Sequence, residues 1–249
     1  GTIFAQNMAA QIKAHEAAGT GFAALLICPY FLNEGFPDNP DGWLKPTADV
    51  VRKAGGLLLC DEVQSGFGRV GTHMWAHEKM GVTPDIVTLG KPMANGHPVG
   101  GVVTNTDIIA RFREGYRYFN TFGGNPVSCA AAMAVLEEMH ADNLMENADT
   151  VGTYARARLT KLQDKHEIIG DIRGSGLVFG AELVLDRETK APASDFTDKI
   201  INAMRHRGII LSKLGRHKNT LKIRPPMPFS IDNADLLFDT LDDVLTQAL

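Results

Sequence analysis

Four short runs with scarcely a polar residue limit what this chain can fold into. They are Phe22 to Cys28, Leu57 to Cys60, Ile86 to Leu89 and Gly100 to Thr104. Each is shorter than a working helix and none alternates, so each reads as a strand covered on both faces. Helical patterns stand between or beside them, over 4–17, about 48–54, near 73–80 and near 106–113. Thr47 is placed to cap the second of these and Gly55-Gly56 to end it. Strand and helix in alternation give an α/β layer with a mostly parallel sheet. In such sheets ligands bind beyond the carboxyl ends of the strands.

A second part follows. Asn125 is placed to cap a long helix with Pro126 in its first turn, where a missing N–H is harmless. Ala130, Ala131, Ala134, Val135 and Met139 would line its apolar side. Another helix covers about 143–164, and a domain boundary is expected at its start, dividing the chain into 1–142 and 143–249. Beyond it, strands are read at 168–173, 177–185, 209–213 and 220–223, with a helix at about 195–207. Asp232 is read as the cap of a final helix. This makes a smaller α+β domain with an antiparallel sheet.

Composition removes whole classes of function. With 249 residues, 22% charged, and a formal net charge of −4, the chain lacks the basic excess of a nucleic-acid binder. No apolar run is long enough to span a bilayer, and residues 1–20 are amphipathic, unlike a signal peptide. Cys28, Cys60 and Cys129 are odd in number and widely spaced, with no CxxC or Cys/His cluster to hold a metal. They read as buried free thiols in a reducing, cytoplasmic setting. No GxGxxG opens a helix after a strand and no Walker motif occurs, so a nucleotide-binding module is discarded.

Four local features carry chemistry. Asp61-Glu62-Val63-Gln64-Ser65-Gly66-Phe67-Gly68-Arg69 puts a carboxylate at the end of a buried strand, which is costly without a cation. A protonated ring nitrogen would suit Asp61; a helix cap or an ion pair with Arg69 would also satisfy it. Pro84-Asp85-Ile86-Val87-Thr88-Leu89-Gly90-Lys91 delivers Lys91 just past another strand. A desolvated lysine amine attacks carbonyls, although its head could simply reach water. In Asn120-Thr121-Phe122-Gly123-Gly124-Asn125-Pro126, the backbone N–H groups, the Thr121 hydroxyl and a helix start can hold a phosphate, or form an ordinary loop. In Leu221-Lys222-Ile223-Arg224-Pro225-Pro226, Arg224 ahead of two prolines suits bidentate carboxylate binding, or is an edge-strand surface residue.

Taken together, the motifs closely resemble those of the class III, or omega-type, aminotransferases, pyridoxal-phosphate enzymes of fold type I. Order and spacing agree: Lys91 stands 30 residues after Asp61, and Thr121 stands 30 after Lys91. The resemblance runs from about residue 22 to the C-terminus and includes Arg173-Gly174-Ser175-Gly176-Leu177 and Arg224-Pro225-Pro226. It implies that Lys91 holds pyridoxal 5'-phosphate as an internal aldimine and moves the substrate proton, with Asp61 as its catalytic companion at the pyridine nitrogen. The implied cofactor set is Asp61, Val63, Gln64, Lys91 and Thr121, with Gln64 at the 3-hydroxyl and Thr121 at the phosphate of the partner subunit. Arg224 would bind the substrate carboxylate. The implied protein is a cytoplasmic homodimer moving an amino group between an amino acid or amine and a 2-oxo acid. Racemases, aminomutases and lyases of the same fold use the same lysine and aspartate and form the rival reading.

Two departures bear on this. The family's chains run longer on the N-terminal side, where they carry a Gly/Ser phosphate-binding turn and an aromatic residue stacked on the cofactor ring. Residues 1–21 offer neither, so the chain is expected to be the C-terminal portion of such an enzyme, and a catalytically incomplete fragment is the other alternative. Many members also end the strand matching 25–28 in a glutamate before proline. Here Cys28 precedes Pro29, which puts the usual dual-substrate rule in question.

Overall fold

The computed structural model describes residues 1–37 and 39–248. They form two compact units. The first holds Gly1–Pro29, Pro40–Phe67 and Trp75–Asp142; the second holds Tyr30–Asn39, Gly68–Met74 and Asn143–Leu249. The chain therefore divides between Asp142 and Asn143, but two earlier loops belong with the second unit. Burial draws them there. Gly35 lies against Gly215, an added Cβ at Gly180 would strike the Phe36 ring 2.9 Å away, and Gly215 N–H donates to Asn33 O (3.2 Å).

In the first unit the order is α1 (Thr2–Ala17), β1 (Ala24–Ile27), α2 (Lys45–Lys53), β2 (Leu57–Asp61), α3 (Ala76–Lys79), β3 (Ile86–Leu89), a 3-10 turn at Lys91–Ala94, β4 (Gly101–Thr104), α4 (Thr106–Gly115) and α5 (Pro126–Ala141). The sheet order is β1-β2-β3-β4, with β1, β2 and β3 parallel. The strand β4 is antiparallel to β3, pairing Ile86 with Thr104 and Leu89 with Gly101. A parallel return needs a crossover of about a dozen residues or more, usually helical, and the short turn after Lys91 cannot supply it. Thr47 lies inside α2, which starts at Lys45 with Pro46 in its first turn, and α3 is a single turn where the sequence suggests two.

Asp85 closes the lower end of this sheet. Its Oδ2 accepts from Leu58 N (2.8 Å), and its carbonyl accepts from the Thr104 hydroxyl (2.8 Å), so one residue ties β2 to β4. Leu58 and Cys60 are fully buried, as are Leu44, Ala48 and Val51 beneath them. The cover is uneven: Leu26 is 64% exposed and Val102 65%. Of the apolar residues expected to be covered on α5, Ala130 and Ala134 are exposed.

The second unit continues with α6 (Leu144–Lys165), β5 (Ile169–Ser175), β6 (Val178–Asp186), β7 (Ala191–Pro192), α7 (Ser194–His206), β8 (Ser212–Leu214), β9 (Thr220–Ile223) and α8 (Ile231–Ala248). Its sheet, in the order β5-β6-β9-β8, is antiparallel throughout, and β7 pairs with β6. Helices α6, α7 and α8 close a core in which Leu159, Ile169, Phe179, Leu183, Ile200, Leu221, Phe238 and Leu241 are fully buried. The final helix is capped by Ser230, not Asp232: Ser230 Oγ accepts from Asn233 N (3.1 Å) while Asn233 Oδ1 accepts from Ser230 N (3.2 Å). The run 209–213 is strand only from Ser212, and Ile210 stands in water.

Candidate active site

Two neighbouring parallel strands deliver the two main candidates to one edge. Asp61 ends β2 and is registered opposite Thr88 of β3; Glu62 N–H donates to Thr88 O (3.1 Å). Lys91 follows three residues later, just beyond the end of β3. Both side chains therefore leave the sheet at its carboxyl edge. Asp61 is half-buried, and its Oδ1 accepts from Val63 N (3.0 Å), while among the described residues nothing donates to Oδ2. The alternative partner, Arg69, spends its Nη1 on the carbonyls of Leu177 and Pro225.

Lys91 carries a feature that sequence did not suggest: its φ is +37°. A long side chain rarely adopts that left-handed backbone, which costs on the order of 1–3 kcal/mol. The following Pro92 disfavours the ordinary helical alternative. Bonds from Met93 N to Gly90 O (3.0 Å) and from Asn95 N to Pro92 O (3.1 Å) hold the turn. A Cβ added to Gly90 would meet Val63 Cγ2 at 3.7 Å, so Val63 lies against the residue that precedes Lys91.

Beneath this edge lies a buried support. Glu62 is fully buried. Its Oε2 accepts from Ser65 Oγ (2.6 Å), and its Oε1 accepts from His77 N (2.8 Å) and pairs with His77 Nδ1 (2.9 Å). These bonds fix the turn that carries Asp61, Val63 and the partly buried Gln64. The Asp61-Glu62 doublet hinted at it, but the part played by His77 depends on folding. Cys60, next to them, is inert: burial, then the Glu62 charge, pushes its thiol up to about 12.

Thr121 is exposed in the loop before α5. The backbone donors here are less free than the sequence suggests. Asn120 Oδ1 accepts from Phe122 N (3.2 Å) and Gly123 N (2.9 Å), and Asn125 Oδ1 caps α5 by accepting from Ser128 N (3.0 Å). Among the cysteines only Cys60 is buried; Cys129 is exposed on α5, and none of the three forms a disulfide. No group of three or more His, Cys, Asp or Glu among the described residues is placed to hold a metal.

Arg224 belongs to the second unit. It stands one residue past β9 and lines a groove of about 520 Å³ with Ile209, Lys222, Pro226, Phe229 and Asn233. Burial lowers its guanidinium from the ordinary arginine value.

A carboxylate and a lysine thus stand at adjacent strand ends of a mostly parallel sheet. The chain belongs to the class III aminotransferases, whose family model matches residues 4–245. It is 46% identical over 224 residues to alanine–glyoxylate aminotransferase 2 homolog 2, mitochondrial, of Arabidopsis thaliana, covering 90% of this chain and 46% of that one. Among solved structures it is similar to a phospholyase from Arthrobacter in complex with phosphoethanolamine, at TM-score 0.94 and 42% identity, covering 97% of this chain and 57% of that one. It is also similar to a Bacillus anthracis aminotransferase, at TM-score 0.89 and 29% identity, covering 98% and 56%. The expected fold, a fold-type-I large-domain sheet with a smaller α+β domain, is borne out. The chain spans about half the length of the curated relatives it matches.

The family depends on pyridoxal phosphate, and the residues here fit that group. Asp61 offers an open carboxylate oxygen for a ring N–H, Lys91 an amine at the same edge, and Val63 an apolar wall beside Gly90.

Proposed function

We propose that this chain forms the lysine-bearing part of a pyridoxal-phosphate-dependent transaminase. The observation that carries the reading is the pairing of Asp61 and Lys91 on adjacent strand ends, with Lys91 in left-handed backbone. The cofactor, when bound, supplies the electron sink that eases loss of a proton from the substrate carbon. The rest falls to the chain. Lys91 Nζ would hold the cofactor and would carry that proton between substrate positions. The Asp61 carboxylate keeps the ring nitrogen protonated. Val63 would offer an apolar contact to the ring, Gln64 would hydrogen-bond the 3-hydroxyl side, and the Thr121 hydroxyl would bind the phosphate of the partner subunit's cofactor in a homodimer. Arg224 receives the carboxylate of an amino acid or 2-oxo acid.

Residues 1–142 then serve as part of the cofactor-binding domain and 143–249 as the small domain. No helix among the described residues is long and apolar enough to cross a membrane. Free thiols agree with a reducing compartment, for which we propose the cytoplasm, although the Arabidopsis relative is named mitochondrial.

A second reading has support of its own. The likeness to the phospholyase bound to phosphoethanolamine, at TM-score 0.94, favours elimination of phosphate from an amino alcohol phosphate. The test is a two-arm assay on the full-length enzyme. Transamination predicts that an amino acid alone gives one equivalent of 2-oxo acid per site, with ping-pong kinetics once an acceptor is added. Inorganic phosphate released from phosphoethanolamine without any acceptor would overturn it in favour of the lyase.

A further inference from the structure

Arg69 closes the motif that begins at Asp61, yet its contacts lie in the second unit. One nitrogen, Nη1, donates both to Leu177 O (3.1 Å) and to Pro225 O (2.7 Å). The second of these is the carbonyl of the residue after Arg224. The strand β9 ends at Ile223, and Pro225 and Pro226 have no N–H to donate. We infer that Arg69 is a positioning residue for Arg224: its Nη1 donation to Pro225 O fixes the backbone from which the Arg224 guanidinium reaches the substrate's anionic group. The inference rests on the reading of Arg224 given above.

Arg69 is itself firmly held. Leu177 N–H donates to Arg69 O (3.0 Å), and the Ser175 hydroxyl donates to Val70 O (2.8 Å). Gly176 has φ +50°, and an added Cβ there would lie 2.3 Å from Arg69 O, so no other side chain fits at that turn. The β5–β6 turn, the 68–71 loop and the Arg224-Pro225 step are thus joined through one guanidinium. Its charge matters as well. Burial, then the charge of Arg224, lowers the Arg69 guanidinium to about 10. Two cations that repel one another make a place where an anion is welcome. Both effects favour a carboxylate or phosphate over a neutral amine.

The experiment uses the full-length enzyme and compares Arg69→Lys, which keeps the charge but replaces the rigid planar guanidinium donor with a rotating ammonium on a flexible stem, with Arg224→Lys. Steady-state kinetics are measured with an amino acid donor and with a donor amine that has no carboxylate. Binding of propionate, as a bare carboxylate, is measured by calorimetry. Arg69→Lys is expected to raise KM for the amino acid and the propionate dissociation constant by roughly tenfold or more, with kcat and the neutral amine little changed. Equal losses for both donors would mean a general structural role and overturn the inference, as would wild-type behaviour. If Arg224→Lys leaves the carboxylate preference intact, the Arg224 assignment falls and takes this one with it. If Arg224→Lys erases the preference while Arg69→Lys does not, only the inference about Arg69 falls. Pro225→Gly loosens the same backbone without touching Arg69, and is expected to give the same split should Arg69 variants fail to fold.

Discussion

The two units differ in how far they cover themselves. The second closes its core with its own helices, leaving Phe179, Leu183 and Phe238 fully buried. The first places the candidate lysine and aspartate on a sheet where Leu26, Val102 and Val103 remain more than half exposed. In the same unit Phe119 and Phe122 are exposed by 85% and 79%, and Val127 by 67%. The lesson is one of division: the second unit packs its sheet under three helices into a closed core, while the first presents Asp61 and Lys91 on a sheet with open apolar positions.

This contrast can be broken by mutation. The largest effect is chemical: Lys91→Ala in the full-length enzyme is expected to cut kcat by roughly 10²–10⁴-fold without unfolding it, measured by steady-state kinetics beside circular dichroism. In the second unit, Phe238→Ala empties a fully buried site that faces Phe179 (centroids 6.5 Å apart). It should cost about 3–5 kcal/mol in urea titrations. In the first unit, Val102→Thr on the exposed face should stay within about 0.5 kcal/mol in this chain alone. A large loss there would mean that the face is already covered.

Smaller effects sharpen the picture. Glu62→Gln keeps the shape but weakens the bonds to Ser65 and His77, and is expected to cost about 1–3 kcal/mol by thermal unfolding while displacing the Asp61 turn. In the second unit, Asp242 accepts from Lys165 Nζ (2.7 Å) and pairs with His166 Nε2 (2.6 Å). The Lys165 bond chiefly holds its carboxyl below the usual carboxylate value; burial opposes it, and the His166 bond adds a smaller lowering effect. A carboxylate depressed in the folded state contributes stability above its unfolded pKa, and that contribution is lost as pH falls through the folded pKa. Asp242→Asn should therefore flatten the loss of stability below about pH 4, read by unfolding at stepped pH.

Much of the frame was legible because uniformly apolar runs and glycine stops are local signals. The strands at Leu57, Ile86 and Thr220 were placed this way, and so was the Asn125 cap. What escaped depends on partners far along the chain. The direction of β4 follows from the length of its connection, not from Val102 and Val103 themselves. Ser230 outcompetes Asp232 as a cap because Asn233 reciprocates. The Gly123 N–H looked open until the Asn120 side chain folded back on it. The left-handed backbone at Lys91 leaves no mark in composition, since nothing in Gly-Lys-Pro names a positive φ. At the candidate site, Asp61 and Lys91 could be read directly, whereas the Glu62–His77 support and the reach of Arg69 to Pro225 could not, because each spans residues that meet only in the fold.

The central claim is that Lys91 is the residue that holds the cofactor. The direct measurement is to mix the full-length enzyme with pyridoxal phosphate, reduce with borohydride and map the labelled peptide by mass spectrometry. The account predicts one stoichiometric label on Lys91, lost in Lys91→Ala. Label on another lysine, or label scattered over surface lysines with Lys91 unmodified, would contradict it.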